Sequence, residues 1–516
     1  MTSATALPRI AMAALLLLSA GCAGSKQNQA DTLRWGTSES PTSLDIAHKF
    51  DTASTLVQFA VLDTMITLGK KGEVLPSVAE SWTHPDPLTY IFTMREGVKF
   101  SDGSPVTAED AAYSLSRHND PKVASQAASY TTMVKKAEAT DARTVKVTLS
   151  RPNQAFLSMT ALAWQIVPKK LAEAHPRDLG SPEVGTLGSG PFKVTKFSLT
   201  QGVTLERNPL YWGPKPALNK IEVRAITDPE TLRLAVSSGE VDGTTDVRPG
   251  EARKWTSMPD VTTSFFPADN IAYLSLAVNQ GPLKDVHVRR AIAHAVDRAA
   301  LIQLMTGGHG SQADLLLPKP QLTALYGSAS PTVRTYAHDL QAAKAELAKS
   351  AYPDGFTLAT PYDAGDKFGK AMQAVASDLA KIGITLELKS QPTEKYHTQR
   401  MQHEDLAVQM VDLVYGTPDP GEVLPDLLSR ASAKPQGFNF SGYGSDALDA
   451  TLDDVGGLEG EARREAVTKV LTEVADQVPY LPLYHLDLPV ALNKRFTGEI
   501  STWTINVLGA VRPAGV

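Results

Sequence analysis

The stretch TYIFTMREGVKFSDGSPVTAEDAAYSLSR, residues 89–117, decides how the rest of the chain is read. Tyr90, Phe92 and Met94 alternate with Thr93 and Arg95, the period of two expected of a half-buried strand. Val98 and Phe100 continue the pattern beyond a turn at Glu96-Gly97, which predicts a hairpin. Asp102-Gly103-Ser104-Pro105 forces a second turn, and Thr107 with Asp110 makes a capping box that opens a helix to about Arg117.

Outward from this unit, strands and helices keep alternating. On the N-terminal side lie a short strand, Leu33 to Gly36, and a helical stretch, Ala53 to Ile66. On the C-terminal side Val145, Val147 and Leu149 alternate again. Asp228-Pro229-Glu230 opens a helix that Gly239 closes. A longer helix is predicted from Val286 to Met305, with Val288, Ile292, Ala295, Ala299 and Ile302 on one face and Gly307-Gly308 as its stop. Residues 338–390 read as helix, strand, helix, strand. The strands Phe356 to Thr360 and Ile384 to Lys389 flank a helix carrying Phe368, Met372, Val375, Leu379 and Ile382, a βαβ unit that calls for a parallel or mixed sheet. An apolar segment from Leu406 to Tyr415, a Gly/Pro-rich loop from Gly416 to Gly421, a helix from about Glu461 to Val478 and a strand from Tyr480 to Leu486 follow. The fold class is α/β.

Composition narrows the function. The 516 residues are 42% hydrophobic and 21% charged, enough for about three domain-sized units with their own cores. Fifty Lys and Arg against 56 Asp and Glu, net −6, with no basic run, leave no electrostatic footprint for nucleic acid. Cys22 is the only cysteine, which excludes intrachain disulfides and Cys-based zinc sites. Neither GxSxG, HExxH nor GxxxxGK[ST] occurs, no His pair has metal spacing on a predicted helix, and no cofactor is expected. The glycines Gly185, Gly188 and Gly190 precede Pro191 and a strand-like FKVTKF, so they read as a turn and not as a phosphate cradle.

The start of the chain is a secretory signal: Arg9, an apolar run from Ile10 to Leu18, then small residues before Cys22. Leu17 to Cys22, LLSAGC, resembles the bacterial lipobox, in which the cysteine is acylated. Residues 1–21 are then a signal peptide and 22–30 a flexible tether, which puts the protein on the outer face of the cytoplasmic membrane, held by lipid on Cys22.

Residues 89–117 also resemble the signature of the family 5 extracellular solute-binding proteins of ABC importers, the oligopeptide, dipeptide and nickel-chelate receptors. LPSVAESW (75–82), GSGPFKVTKF (188–197), LERNPLYWG (205–213), PLKDVHVRRAIAHAVDR (282–298), YPDGFTL (352–358), LAKIGITLELK (379–389) and YLPLYH (480–485) resemble further family motifs in the family's order. The resemblance implies a two-lobed, periplasmic-binding-protein-like (type II) hinge fold. Lobe one would span 31–270, with an extra subdomain over about 50–185; lobe two would span 271–479, and 480–516 would return to lobe one. It implies a monomer that carries no enzyme activity and passes a peptide or other small solute to the transmembrane subunits of an ABC permease.

Two positions depart from that pattern. Family peptide receptors carry an Asp three residues before an Asp-Pro pair, where it holds the ligand's α-ammonium; here Gly416 stands three before Asp419-Pro420. Dipeptide receptors place an Arg near the end of the strand matching Phe356 to Thr360, and this chain has none there. Oligosaccharides, opine-like conjugates and metal chelates therefore compete with peptides as ligands. The resemblance points to Ser38, Glu39 and Ser40 after the first strand, with Glu39 as a replacement amine anchor. The aromatic rings of Trp164, Tyr362, Tyr415 and Tyr484, with Gly416 and Thr417, complete the expected ligand-binding set. Asp419 is expected to shape its loop.

Overall fold

The computed structural model describes residues 31–365 and 367–515; the expected signal peptide and tether, with Cys22, lie outside the described residues. Its centre is a ten-stranded sheet organised by one long strand, Tyr480–Asn493. The first half of that strand pairs with Asn270–Leu276 and Gly310–Gln312, and its second half with Val261–Pro267 and Gly243–Thr244. The sheet then continues on one side through Val408–Val414. On the other side it runs through Thr32–Thr37, Lys220–Ala225, Gly202–Arg207 and Phe192–Ser198.

Two stretches of backbone thus join the halves. One is the link between Pro267 and Asn270, and the other is the middle of the long strand at Leu486–Asp487. Tyr480 to Leu486 register with Asn270–Leu276 and Gly310–Gln312, and Asp487 to Asn493 with Val261–Pro267, so the partner changes between Leu486 and Asp487. Each half has its own cores. Leu33, Trp35, Leu205, Ile221 and Val223 pack in the first, and Leu274, Ile292, Val375, Ile384 and Val408 in the second.

A separate antiparallel sheet, ordered Ala79–Asp86, Thr89–Met94, Thr144–Leu149, Val134–Ala139, backs onto the helix Ala108–Ser116. The capping box forms as the spacing predicts, with Thr107 and Asp110 bonding reciprocally. Tyr90, Phe92 and Met94 are all buried, and the Phe92 ring meets Trp164 edge-on at 5.0 Å. Burying such a ring contributes about 2–3 kcal/mol. A buried ion pair, Arg117 to Asp45 at 2.7 Å, ties this subdomain to the first half.

Three sequence-based elements are corrected. Val98 to Phe100 is not the second arm of a hairpin, because Thr89–Met94 pairs with Ala79–Asp86 and Thr144–Leu149. Val98 and Phe100 are nonetheless buried, so their alternation reports burial without pairing. The first helix runs Thr52–Val61 and stops short of Ile66, which belongs to a strand; the Val61 carbonyl is taken by the Gly190 N–H at 2.9 Å. The long helix is two helices, Val286–Ala295 and Arg298–Thr306. The Asp297 N–H goes to the Asp378 carboxylate at 3.0 Å while the Asp297 side chain caps the second helix. The βαβ reading gives Phe356–Tyr362 parallel to Ile384–Ser390, joined through Gly369–Ala380.

Candidate functional site

The strand Val408–Val414 leaves the sheet beside the first crossing between the halves, and its exit loop is tightly specified. The Tyr415 N–H donates to the Asp269 carbonyl at 2.8 Å, and the Gln321 amide donates to the Thr417 carbonyl at 2.9 Å and to the Asp269 carboxylate at 3.3 Å. The Thr417 hydroxyl donates to Glu422 at 2.6 Å. Asp419 caps the helix Pro420–Leu428 by accepting from the Gly421 N–H at 2.8 Å. Both its oxygens are clasped by Arg463, at 2.8 and 2.6 Å, so this residue shapes the loop.

The loop lies against the antiparallel subdomain. At Gly416 a Cβ would sit 2.4 Å from the Leu162 side chain and 3.8 Å from the Tyr130 hydroxyl, and Pro418 lies against Gly72 beside the Trp503 indole. Nearby, the Gln154 N–H donates to the Gly456 carbonyl at 2.8 Å, the Gln154 amide to Glu459 at 2.9 Å, and Arg151 pairs with Asp453 at 3.1 Å. The second half and the subdomain of the first are therefore in direct contact around the loop.

Of the residues singled out from the sequence, Tyr415, Gly416 and Thr417 meet here. Tyr484 is buried one strand away, opposite Ala272 in the register. Tyr362 ends its strand half-buried, against the core of the second half. The structure places Trp164 in the subdomain core, fully buried, its indole donating to the Ala111 carbonyl at 2.8 Å, although its helix presents Leu162 to the loop. Ser38, Glu39 and Ser40 sit at the end of Thr32–Thr37 in the first half. There the Ser38 N–H bonds Asp246, the Ser40 hydroxyl bonds the Leu199 carbonyl at 2.8 Å, and Glu39 is exposed.

The electrostatics of the loop are set by carboxylates that sequence reasoning passed over. Burial pushes Glu422 up to about 7; the neighbouring Asp426 adds to this, and bonds from Thr417 and Tyr130 offset only part of it. Burial alone pushes Asp426 up to about 6. Asp269 is also raised, by burial first. Glu422 and Asp426 stand four apart in the sequence, a same-face helical pair, yet nothing local announces that their face is enclosed. No group of His, Cys, Asp and Glu suited to holding a metal ion occurs among the described residues.

Comparison with known proteins places the chain. Residues 73–434 match the family described as bacterial extracellular solute-binding proteins, family 5 Middle. The glutathione-binding protein GsiB of Escherichia coli is 25% identical over 467 residues, 89% of each chain. HbpA2 from Haemophilus parasuis superposes with a TM-score of 0.82 at 24% identity, over 93% of this chain and 99% of its own. The periplasmic binding protein DppA from Helicobacter pylori, in complex with the peptide STSA, superposes with a TM-score of 0.76 at 24% identity, over 93% of this chain and 98% of its own.

Proposed function

The chain belongs to the bacterial extracellular solute-binding proteins of family 5, and from that premise we propose that it is the lipid-anchored receptor of an ABC importer, capturing a peptide-like solute between two lobes. It is a binding protein and not an enzyme. The observation that carries the reading is the pair of backbone crossings at 267–270 and Leu486–Asp487, beside which a loop of one half meets the subdomain of the other. Two adjacent crossings permit rotation of one lobe on the other, and a solute touching both faces favours the closed arrangement. The permease then recognises that arrangement in a monomeric receptor tethered through acylated Cys22. No helix among the described residues is long and apolar enough to cross a membrane.

Gly416 in place of an Asp, and the strand Phe356–Tyr362 without an Arg, favour a second reading in which the solute is an oligosaccharide, an opine-like conjugate or a metal chelate. Native mass spectrometry of the chain beginning after Cys22, purified gently, separates the two. Adducts that fragment into amino-acid residues are expected. A single hexose-based or metal-containing adduct overturns the peptide reading.

A further inference from the structure

Three carboxylates line the loop and its helix, and the chain treats them differently. Asp419 receives both terminal nitrogens of Arg463. Glu422 and Asp426, one helical turn apart on the same face, receive no Lys, Arg or His among the described residues. Glu422 has the Thr417 hydroxyl at 2.6 Å and interacts with the Tyr130 hydroxyl from the subdomain of the other half. Asp426 has no hydrogen-bond partner among the described residues, and burial alone raises its carboxyl. Both remain partly accessible to solvent while ringed by protein, as residues in a crevice are.

Other atoms converge on the same place. The hydroxyl of Tyr415, a residue only 7% exposed, has no hydrogen-bond partner among the described residues and lies within electrostatic range of both Asp426 and Glu422. One oxygen of Asp269, on a residue 4% exposed, is likewise buried without a partner among the described residues, and Asp269 interacts with Glu422. Ionising both carboxylates on one helix face, with two buried polar atoms left unmatched, is costly unless a donor-rich group compensates them. An anionic group would add to the repulsion, and a neutral apolar group would leave every acceptor unmet.

We infer that Glu422 and Asp426, with the Tyr415 hydroxyl and Asp269 beside them, receive a positively charged nitrogen of the solute, an ammonium or a guanidinium, at the junction of the two halves. This rests on the solute-receptor reading above and sharpens it. The countercharge absent at Gly416 is supplied from the next helix, six and ten residues further on. Ligand binding at this place also bridges the halves, because Tyr130 and Leu162 belong to one and Glu422 and Asp426 to the other.

The test is competitive binding of two tetrapeptide libraries, read by native mass spectrometry on the intact mature chain. One library has free amino termini and includes Lys and Arg; the other is its N-acetylated counterpart without Lys or Arg. The chain is expected to take up the cationic library at least tenfold more strongly. The double variant Glu422→Gln with Asp426→Asn keeps the shapes, and Gln can still accept from Thr417, so it is expected to fold at least as stably and to lose that preference. Equal uptake of both libraries by the unmodified chain overturns this inference and leaves the receptor reading standing. A double variant that folds and keeps the tenfold preference also overturns it. Binding of neither library overturns the peptide reading and this inference together.

Discussion

Arg463→Met tests whether the loop Tyr415–Asp419 is held by the ion pair beneath it. In the native chain the Arg463 and Asp419 side chains are 10% and 12% exposed, so solvent screens their attraction little. Removing the cation leaves a buried carboxylate without its partner, a change that costs about 3–5 kcal/mol where such pairs are broken. The bond from the Arg463 Nε to the Val455 carbonyl at 2.9 Å also disappears, worth about 1 kcal/mol. Against this, Asp419 keeps the Gly421 N–H, so a net loss of about 3–5 kcal/mol at pH 7 is the expected balance. Urea unfolding reports the total, and hydrogen exchange of residues 415–428 reports where it falls. Adding Asp419→Asn to the variant removes the stranded charge and is expected to return at least half of the loss. A loss below about 1 kcal/mol with unchanged exchange in the loop would refute the reasoning, since surface-like pairs behave that way.

Asp63 offers a pH-dependent test away from the loop. Burial raises its carboxyl from 3.8 to about 6, only partly offset by the Trp212 indole at 2.7 Å and the Ser189 hydroxyl at 2.9 Å. The folded state therefore holds a proton that the unfolded state releases, and stability falls as pH rises from about 4 to 6, by up to about 3 kcal/mol. Asp63→Asn is expected to be more stable than the native chain at pH 7 by about 1–3 kcal/mol and equal to it near pH 4, as read by urea titrations at both values; a constant difference sinks the assignment. Gly188→Ala is expected to cost about 3 kcal/mol, because a Cβ there would sit 1.9 Å from the Val61 carbonyl oxygen. Gly185→Ala, with φ at 68° but open space around it, is expected to cost only about 1 kcal/mol, and thermal unfolding that ranks the two the other way contradicts the packing argument.

The elements that could be read from the sequence are those whose determinants lie within a few residues. Thr107 and Asp110 bond each other, and Asp228, Pro229 and Gly239 bound a helix by cap chemistry alone, so both helices stand where their letters put them. The parallel pair around Gly369–Ala380 follows from the spacing of one helix between two strands. Pairing partners are another matter. Nothing within residues 89–100 says that Thr89–Met94 takes Ala79–Asp86 on one side and Thr144–Leu149 on the other. The break at Val296-Asp297 depends on a carboxylate eighty-one residues away, at Asp378.

The same division explains the candidate site. Asp419 could be read as loop-shaping because Asp before Pro-Gly is a capping signal, but the Arg463 that clasps it arrives from a helix forty-four residues later. Glu422 and Asp426 share the spacing of any solvated acidic helix face, and it is the approach of Tyr130 from the other half, with Thr417 and Tyr415 from the loop, that encloses that face. The family resemblance puts an amine anchor at Gly416, where a Cβ would sit 2.4 Å from a Leu162 methyl group. A side chain at that position would require the Leu162 methyl group to turn aside. Moving the negative charge onto the following helix keeps the close approach of the two halves and still offers the solute a countercharge. Absence of an Asp at 416 and a cation-binding junction on the following helix are therefore compatible.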